Sequence, residues 1–129
     1  MKMNILVVLS IILFSASCEK LVDHGYYLKV QNNTNDTVWC YSSYNYPDSS
    51  LSESKPLLQM IRPESHTRLE SNEKWEDVLP KDTIIVFILS KDTVDAYSWE
   101  DIRTEYNVLK RYDLSISDLE AMNWTITYP

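Results

Sequence analysis

The run Thr83-Ile84-Ile85-Val86-Phe87-Ile88-Leu89 constrains the fold more than any other part of this sequence. It is continuous, rich in β-branched side chains, and closed at both ends by the turn-forming triplets Pro-Lys-Asp and Ser-Lys-Asp. Those features predict a strand. Successive side chains of a strand point to opposite faces, so one that is apolar at every position must be covered on both. The run is far too short to cross a bilayer. The chain must set this strand inside a sheet that is packed on its two sides.

The neighbouring segments supply that sheet. Val30, with Tyr26 or Leu28, alternates with polar residues, Asn32 to Asp36 read as a turn, and Val38 to Tyr46 read as a returning strand, together a β-hairpin. On the return strand Val38 and Cys40 share one face with Tyr44, while Trp39 and Tyr41 share the other. Pro47 and Asp48 end it by turn chemistry. Residues 51–56 form an exposed loop, and short strands are expected at 57–61 and 66–71 about the turn Arg62-Pro-Glu-Ser65. Residues 75–79 suit a helical turn that Pro80 stops. The period then changes: Trp99, Ile102, Tyr106 and Leu109 make one stripe of an α-helix behind Ser98 as N-cap. A strand over Lys110-Arg-Tyr-Asp-Leu114 follows, then a short helix with Ser117 and Glu120 as capping box. An alternating strand from Trp124 to Tyr128 closes the chain. The expected fold is mainly β on the border of α+β, a single domain over residues 26–129. It is an antiparallel β-sandwich-like sheet with one amphipathic helix and a short C-terminal helix.

Composition narrows the function by exclusion. The formal net charge of −7 argues against a phosphate-tracking surface, so nucleic acid is not expected as a partner. Glycine occurs once, at Gly25, so neither GxGxxG nor a P-loop exists. No GxSxG elbow or HExxH helix occurs, and His24 and His66 lack a second ligand at helical or hairpin spacing. No catalytic residue, metal ligand or cofactor is assigned, and the expectation is a protein that is not an enzyme. The acids of the two Trp-Glu-Asp triplets, 75–77 and 99–101, read as solvated acids at helix starts. A glycosidase pair would be set by the fold rather than by spacing.

The N-terminus speaks to location. Lys2 precedes the apolar run of residues 5–14, which has the length of a signal-peptide core, and Ser15, Ala16 and Ser17 then lead to Cys18. Ser-Ala-Ser-Cys resembles a bacterial lipoprotein lipobox of the relaxed Bacteroides type, with Ser15 where leucine is usual. The resemblance implies a signal peptide over 1–17, lipidation of Cys18 and a tether over 18–25. Ordinary secretory cleavage after Ser17 is the alternative. With Cys18 acylated, Cys40 is the one thiol left and no intramolecular disulfide forms; its strand-forming surroundings mark it as a small buried hydrophobe.

Two further groups are candidates for sites. Trp39, Tyr41, Tyr44 and Tyr46 cluster on one strand, where rings of this kind usually fill a core. Tyr44 and Tyr46, nearest the turn, are the candidate ligand surface. Asp-Thr-aliphatic occurs at 36–38, 82–84 and 92–94. It resembles the O-glycosylation acceptor motif of Bacteroides-type secreted proteins, which makes Thr37 and Thr93, beside polar turns, candidate acceptors. Thr83, at the head of the buried strand, suits that role less.

The Tyr46-Pro-Asp-Ser-Ser-Leu51 turn, the Arg111-Tyr-Asp-Leu-Ser115 segment, the Asn123-Trp-Thr-Ile-Thr-Tyr-Pro129 ending and the lipobox together resemble a family of small Bacteroides-type lipoproteins. The resemblance implies export, an outer-membrane lipid anchor and a compact domain. It carries no known activity, so no site residue transfers. The expected function is that of a non-enzymatic cell-envelope lipoprotein with a binding or structural role. Its partners are the membrane, through the lipid, and a glycan or an envelope protein. The alternatives are a small envelope-glycan hydrolase and a carbohydrate-binding module using the Tyr/Trp-rich strand.

Overall fold

The Thr83–Ser90 strand lies inside a four-stranded antiparallel sheet, and both of its faces are covered. The computed structural model describes residues 26–129. The strands are β1 (Tyr26–Asn32), β2 (Val38–Ser43), β3 (Gln59–Ile61), β4 (Ser65–Ser71), β5 (Thr83–Ser90), β6 (Lys110–Ser115) and β7 (Thr125–Tyr128). The helices are α1 (Trp75–Val78), α2 (Lys91–Ala96), α3 (Trp99–Glu105) and α4 (Ile116–Ala121), with a 3-10 turn over Pro80–Asp82. One sheet runs β3-β2-β5-β6 and the other β4-β1-β7. The protein is mainly β, sandwich-like and on the border of α+β, as expected. All pairings are antiparallel except β1 with β7, which is parallel.

The alternation in β5 sorts the molecule into layers. Ile84, Val86 and Ile88 face the three-stranded sheet and pack with Leu28, Val30, Val38, Cys40 and Ile126. Ile85, Phe87 and Leu89 face the other way, onto Tyr41, Leu51 and Ile102. Each side chain from Ile84 to Leu89 is fully buried, and burying one of this size contributes ~1.5–3 kcal/mol. The register agrees: Cys40 lies opposite Ile88 on the inter-sheet face, Tyr41 opposite Phe87 on the outer face. The outer face is covered by α2, α3 and the loop after β2, through Val94, Trp99, Ile102, Leu51, Tyr46 and Leu58. Polar bonds join the sheets at both margins, Thr67 Oγ1 to Gln59 Oε1 at 2.6 Å and Tyr112 Oη to the Thr127 carbonyl at 3.3 Å.

Several local expectations are corrected. β1 and β2 do not form a hairpin, because the intervening turn carries the chain from one sheet to the other. Asn32 holds that arch. Its buried amide donates to the carbonyls of Asp36, Ile61 and Arg62, at 2.8, 3.1 and 3.2 Å, while its Oδ1 accepts from the Thr34 backbone N–H and hydroxyl. The turn before β4 is a second crossing of the same kind, since β3 and β4 belong to different sheets. The amphipathic helix ends at Glu105, and Tyr106 turns left-handed at φ 54°. Asn107 N–H then bonds back to the Ile102 carbonyl. Leu109 therefore leaves the helical stripe and stands half-exposed, its N–H donated to Ile88 as the chain enters β6. The expected cap, Ser98, does accept from Asp101 N–H. Residues 91–96 add a helix that the periodicity does not announce. Finally, the capping box of α4 is Ser115 with Asp118, two residues before the expected pair.

Candidate functional site

An open depression lies where β1 begins. Tyr26 and Tyr27 open that strand, Trp75 starts α1, and Trp124 precedes β7. Together they line an open groove of about 810 Å³, with Lys74, Glu76, Asp77, Glu120 and Asn123 at its margins. Pairing brings these segments together: Lys29 N–H donates to the Trp124 carbonyl at 2.9 Å, which seats the start of β7 beside β1. Asn123 and Trp124 both adopt the left-handed conformation, at φ 52° and 55°. For residues other than glycine that conformation costs about 1–2 kcal/mol each. Closure is provided by the Trp124 N–H, which donates to the Leu119 carbonyl at 2.8 Å, and by Leu119 buried between the sheets.

The groove has a buried floor and a charged, exposed rim. Trp75 is buried in the inter-sheet core, and Tyr44 meets it edge-on at 6.4 Å and 90°. The Trp75 Nε1–H is buried and has no partner among the described residues. Tyr26 and Tyr27 are about two-fifths exposed, and Trp124 is half-buried. Glu76, Asp77 and Glu120 stand in water, outnumbering the one rim cation, Lys74. Flat rings beside carboxylates in an open groove can stack on an apolar face and accept hydrogen bonds from hydroxyls.

The aromatic strand is divided between the layers. Tyr41 is buried, stacked on Phe87 at 5.0 Å and edge-on to Trp99 at 5.9 Å, and burial raises its phenol's pKa. Trp39 packs half-buried into the same outer cluster, and its Nε1–H has no partner among the described residues. The candidate surface residues separate: Tyr44 turns toward Trp75, whereas Tyr46 packs on the outer cluster. They sit against opposite faces of the four-stranded sheet and make no common platform. Of the residues singled out from the strand, Tyr44 meets a residue of the groove, Trp75.

Thr37 heads β2, half-buried, in a cleft of about 310 Å³ that Asp36, Ser90, Lys91 and Asp92 also line. Thr93 is not beside a turn; it lies inside α2 and faces an adjoining cleft of about 350 Å³. The Lys91 N–H donates to the Thr37 carbonyl at 3.4 Å, tying the first copy of the motif to the residue before the third. Thr83 is nearly buried and donates to the Lys81 carbonyl. Cys40 is free and buried, and loss of hydration pushes its thiol pKa up to about 12. His66 stands on the exposed face of β4, opposite Gln31. Cys18, the signal segment and the tether lie outside the described residues.

Among the described residues two Ser-x-x-Lys spacings occur, 52–55 and 71–74. In neither is the serine bonded to the lysine, since the hydroxyls donate to the carbonyls of Ser54 and Glu73. Among the described residues no group of three or more metal-ligating side chains converges, and no helix is long and apolar enough to cross a membrane. The groove residues Tyr26, Tyr27, Trp75 and Trp124 escape the sequence reading because they come from three distant segments. Their one trace is the bias toward nine Tyr and four Trp against two Phe. No protein-family model, curated protein or solved structure matches this chain.

Proposed function

We propose that this chain is a non-enzymatic lipoprotein of the cell envelope, anchored at the outer membrane through Cys18, whose role is to bind a glycan in the groove beside Tyr26. The kinship with small Bacteroides-type lipoproteins belongs to the same proposal. The observation that carries the binding role is the gathering of Tyr26, Tyr27, Trp75 and Trp124 in one open groove with exposed carboxylates. Aromatic faces stack on the C–H faces of sugar rings, and carboxylates accept from sugar hydroxyls.

Binding without turnover is favoured by where those acids stand. A glycosidase acid keeps its proton at neutral pH because an apolar pocket raises its pKa. Glu76, Asp77 and Glu120 are all exposed. Of the two modification candidates, we favour Thr37, which lies just before β2 beside the Asn32–Asp36 turn, over Thr93, which sits inside a helix.

The test joins location to binding. Mass spectrometry of the protein from its native envelope should find an acylated Cys18, and Cys18→Ala should release it. On a glycan array the purified protein should retain ligands that Tyr26→Ala loses at unchanged melting temperature. Glycan cleavage that Glu76→Gln or Glu120→Gln abolishes would give the hydrolase instead.

A further inference from the structure

The three-stranded sheet packs one face on the core and leaves the other open. Register places Tyr27 opposite Glu70, Lys29 opposite Arg68 and Gln31 opposite His66 on that open face. Arg68 lies over the Tyr27 ring, 4.4 Å from its centroid. Among the described residues neither Lys29 nor Arg68 forms an ion pair; the pairs present are Lys91–Asp95, Arg103–Glu100 and Arg111–Asp113. Like charges directly opposite each other across an antiparallel pair are destabilising. Here a chain with a net charge of −7 keeps two cations opposite each other on an open sheet face, Arg68 exposed and Lys29 half-buried. Glu70 is the one carboxylate carried by these three cross-strand pairs.

We propose that this face lies on the anionic headgroups of the membrane that holds the lipid. The inference rests on the anchor at Cys18 and goes beyond it, by assigning which surface meets the bilayer. Seven residues separate Cys18 from Tyr26, so the start of β1 is tied within at most about 29 Å of the acylated residue. That reach is similar to the length of β1 itself, ~20–23 Å, which lets the sheet settle flat. Charge selects the side. An anionic surface attracts Lys29 and Arg68 and repels the acidic remainder of the molecule. Set against Glu70, the two cations leave one net positive charge on the face, which biases orientation about 5-fold near such a surface.

The experiment uses the native lipoprotein in vesicles of phosphatidylcholine, alone or mixed with phosphatidylglycerol, that carry a headgroup quencher. A fluorophore is placed by Thr127→Cys on the open face or by Thr104→Cys on the helical side; buried Cys40 does not compete for the label. In mixed vesicles the Thr127 label should be quenched several-fold more than the Thr104 label. High salt, omission of phosphatidylglycerol, or Lys29→Glu with Arg68→Glu should each erase the difference, and the charge-reversed protein should still float with the vesicles. Flotation with equal quenching at both positions would overturn the face assignment while leaving the anchor intact. A difference that survives charge reversal, or concentration-dependent contact between Thr127 labels that marks a second copy as the occupant, would overturn it as well. A chain that floats with neither vesicle would remove the anchor, and this proposal with it.

Discussion

Cys40 lies between the sheets opposite Ile88, where no water reaches its sulfur. Burial favours the neutral thiol, so the pKa rises to about 12 in the folded chain, against ~8.5 in the unfolded one. Between those values the unfolded state gives up a proton that the native state keeps. The stability that follows is fully present below about pH 8.5 and falls above it by up to ~1.4 kcal/mol per pH unit. The phenols of Tyr41, Tyr44 and Tyr112, also raised by burial, add to the loss at higher pH. Urea titrations of the Cys18→Ala chain should show this decline, and a further Cys40→Ala change should flatten its lower part. Iodoacetamide should label Cys40 in urea and leave it unlabelled in the folded protein; rapid labelling of the native chain would refute the assignment. Cys40's burial is legible in the sequence, because it alternates with Val38 inside a strand-forming stretch. Asn32 is not. In a polar stretch it reads as turn chemistry, and only the three carbonyls that converge on its amide show that it spans two sheets.

The elements themselves are legible wherever one face repeats: β5, α3 behind Ser98, and β7 with Ile126 inside all follow their apolar periods. Partnership is not legible, because alternation tells which side chains point inward and leaves open which strand lies alongside. That is why Tyr26–Asn32 and Val38–Ser43, adjacent in sequence with a good turn between them, belong to separate sheets. Helix starts show the same limit on a smaller scale. Ser115 and Ser117 each precede an acid by three residues, and local pattern treats them alike. Tertiary structure decides, since Ser115 is the last paired residue of β6, opposite Thr83, and the chain turns there so that Leu119 enters the core. Its hydroxyl accepts from Asp118 N–H at 3.1 Å, and the Asp118 carboxylate accepts from Ser115 N–H at 3.0 Å. Ser115→Ala should therefore cost ~1 kcal/mol, while Ser117→Ala at an exposed position should stay within ~0.5 kcal/mol. Urea midpoints of the two variants measure the difference. Equal losses would return the cap to the later serine.

At the scale of the whole molecule, the two-sided character of β5 demands a third layer, and the third layer is where sequence says least. Residues 44–58 contain almost no regular structure, yet Leu51 is buried under them and Tyr46 and Leu58 pack beside it. Aromatic polar tips hold this segment down. Trp99 Nε1–H donates to the Ser52 carbonyl at 2.8 Å, Tyr106 Oη donates to the Ser49 carbonyl at 2.8 Å, and Ser52 N–H donates to Tyr41 Oη at 3.4 Å. The Tyr and Trp excess thus has two outlets, fastening this layer and lining the groove beside β1. Neither can be read locally, because each joins residues far apart in the chain. Trp99→Phe isolates the fastening. The ring can still stand edge-on to Tyr41, but the bond to Ser52 is gone, at a net cost of ~0.5–1.5 kcal/mol. The loss should be local, since the inter-sheet core of Ile84, Val86 and Ile88 lies on the far side of the sheet from it. Amide exchange and limited proteolysis should quicken in 47–55, while the amides of β5 keep the protection set by global unfolding. If β5 and the loop instead lost protection together and by the same factor, sandwich and outer layer would open as one cooperative unit, and the third layer would be as integral to the fold as the two sheets.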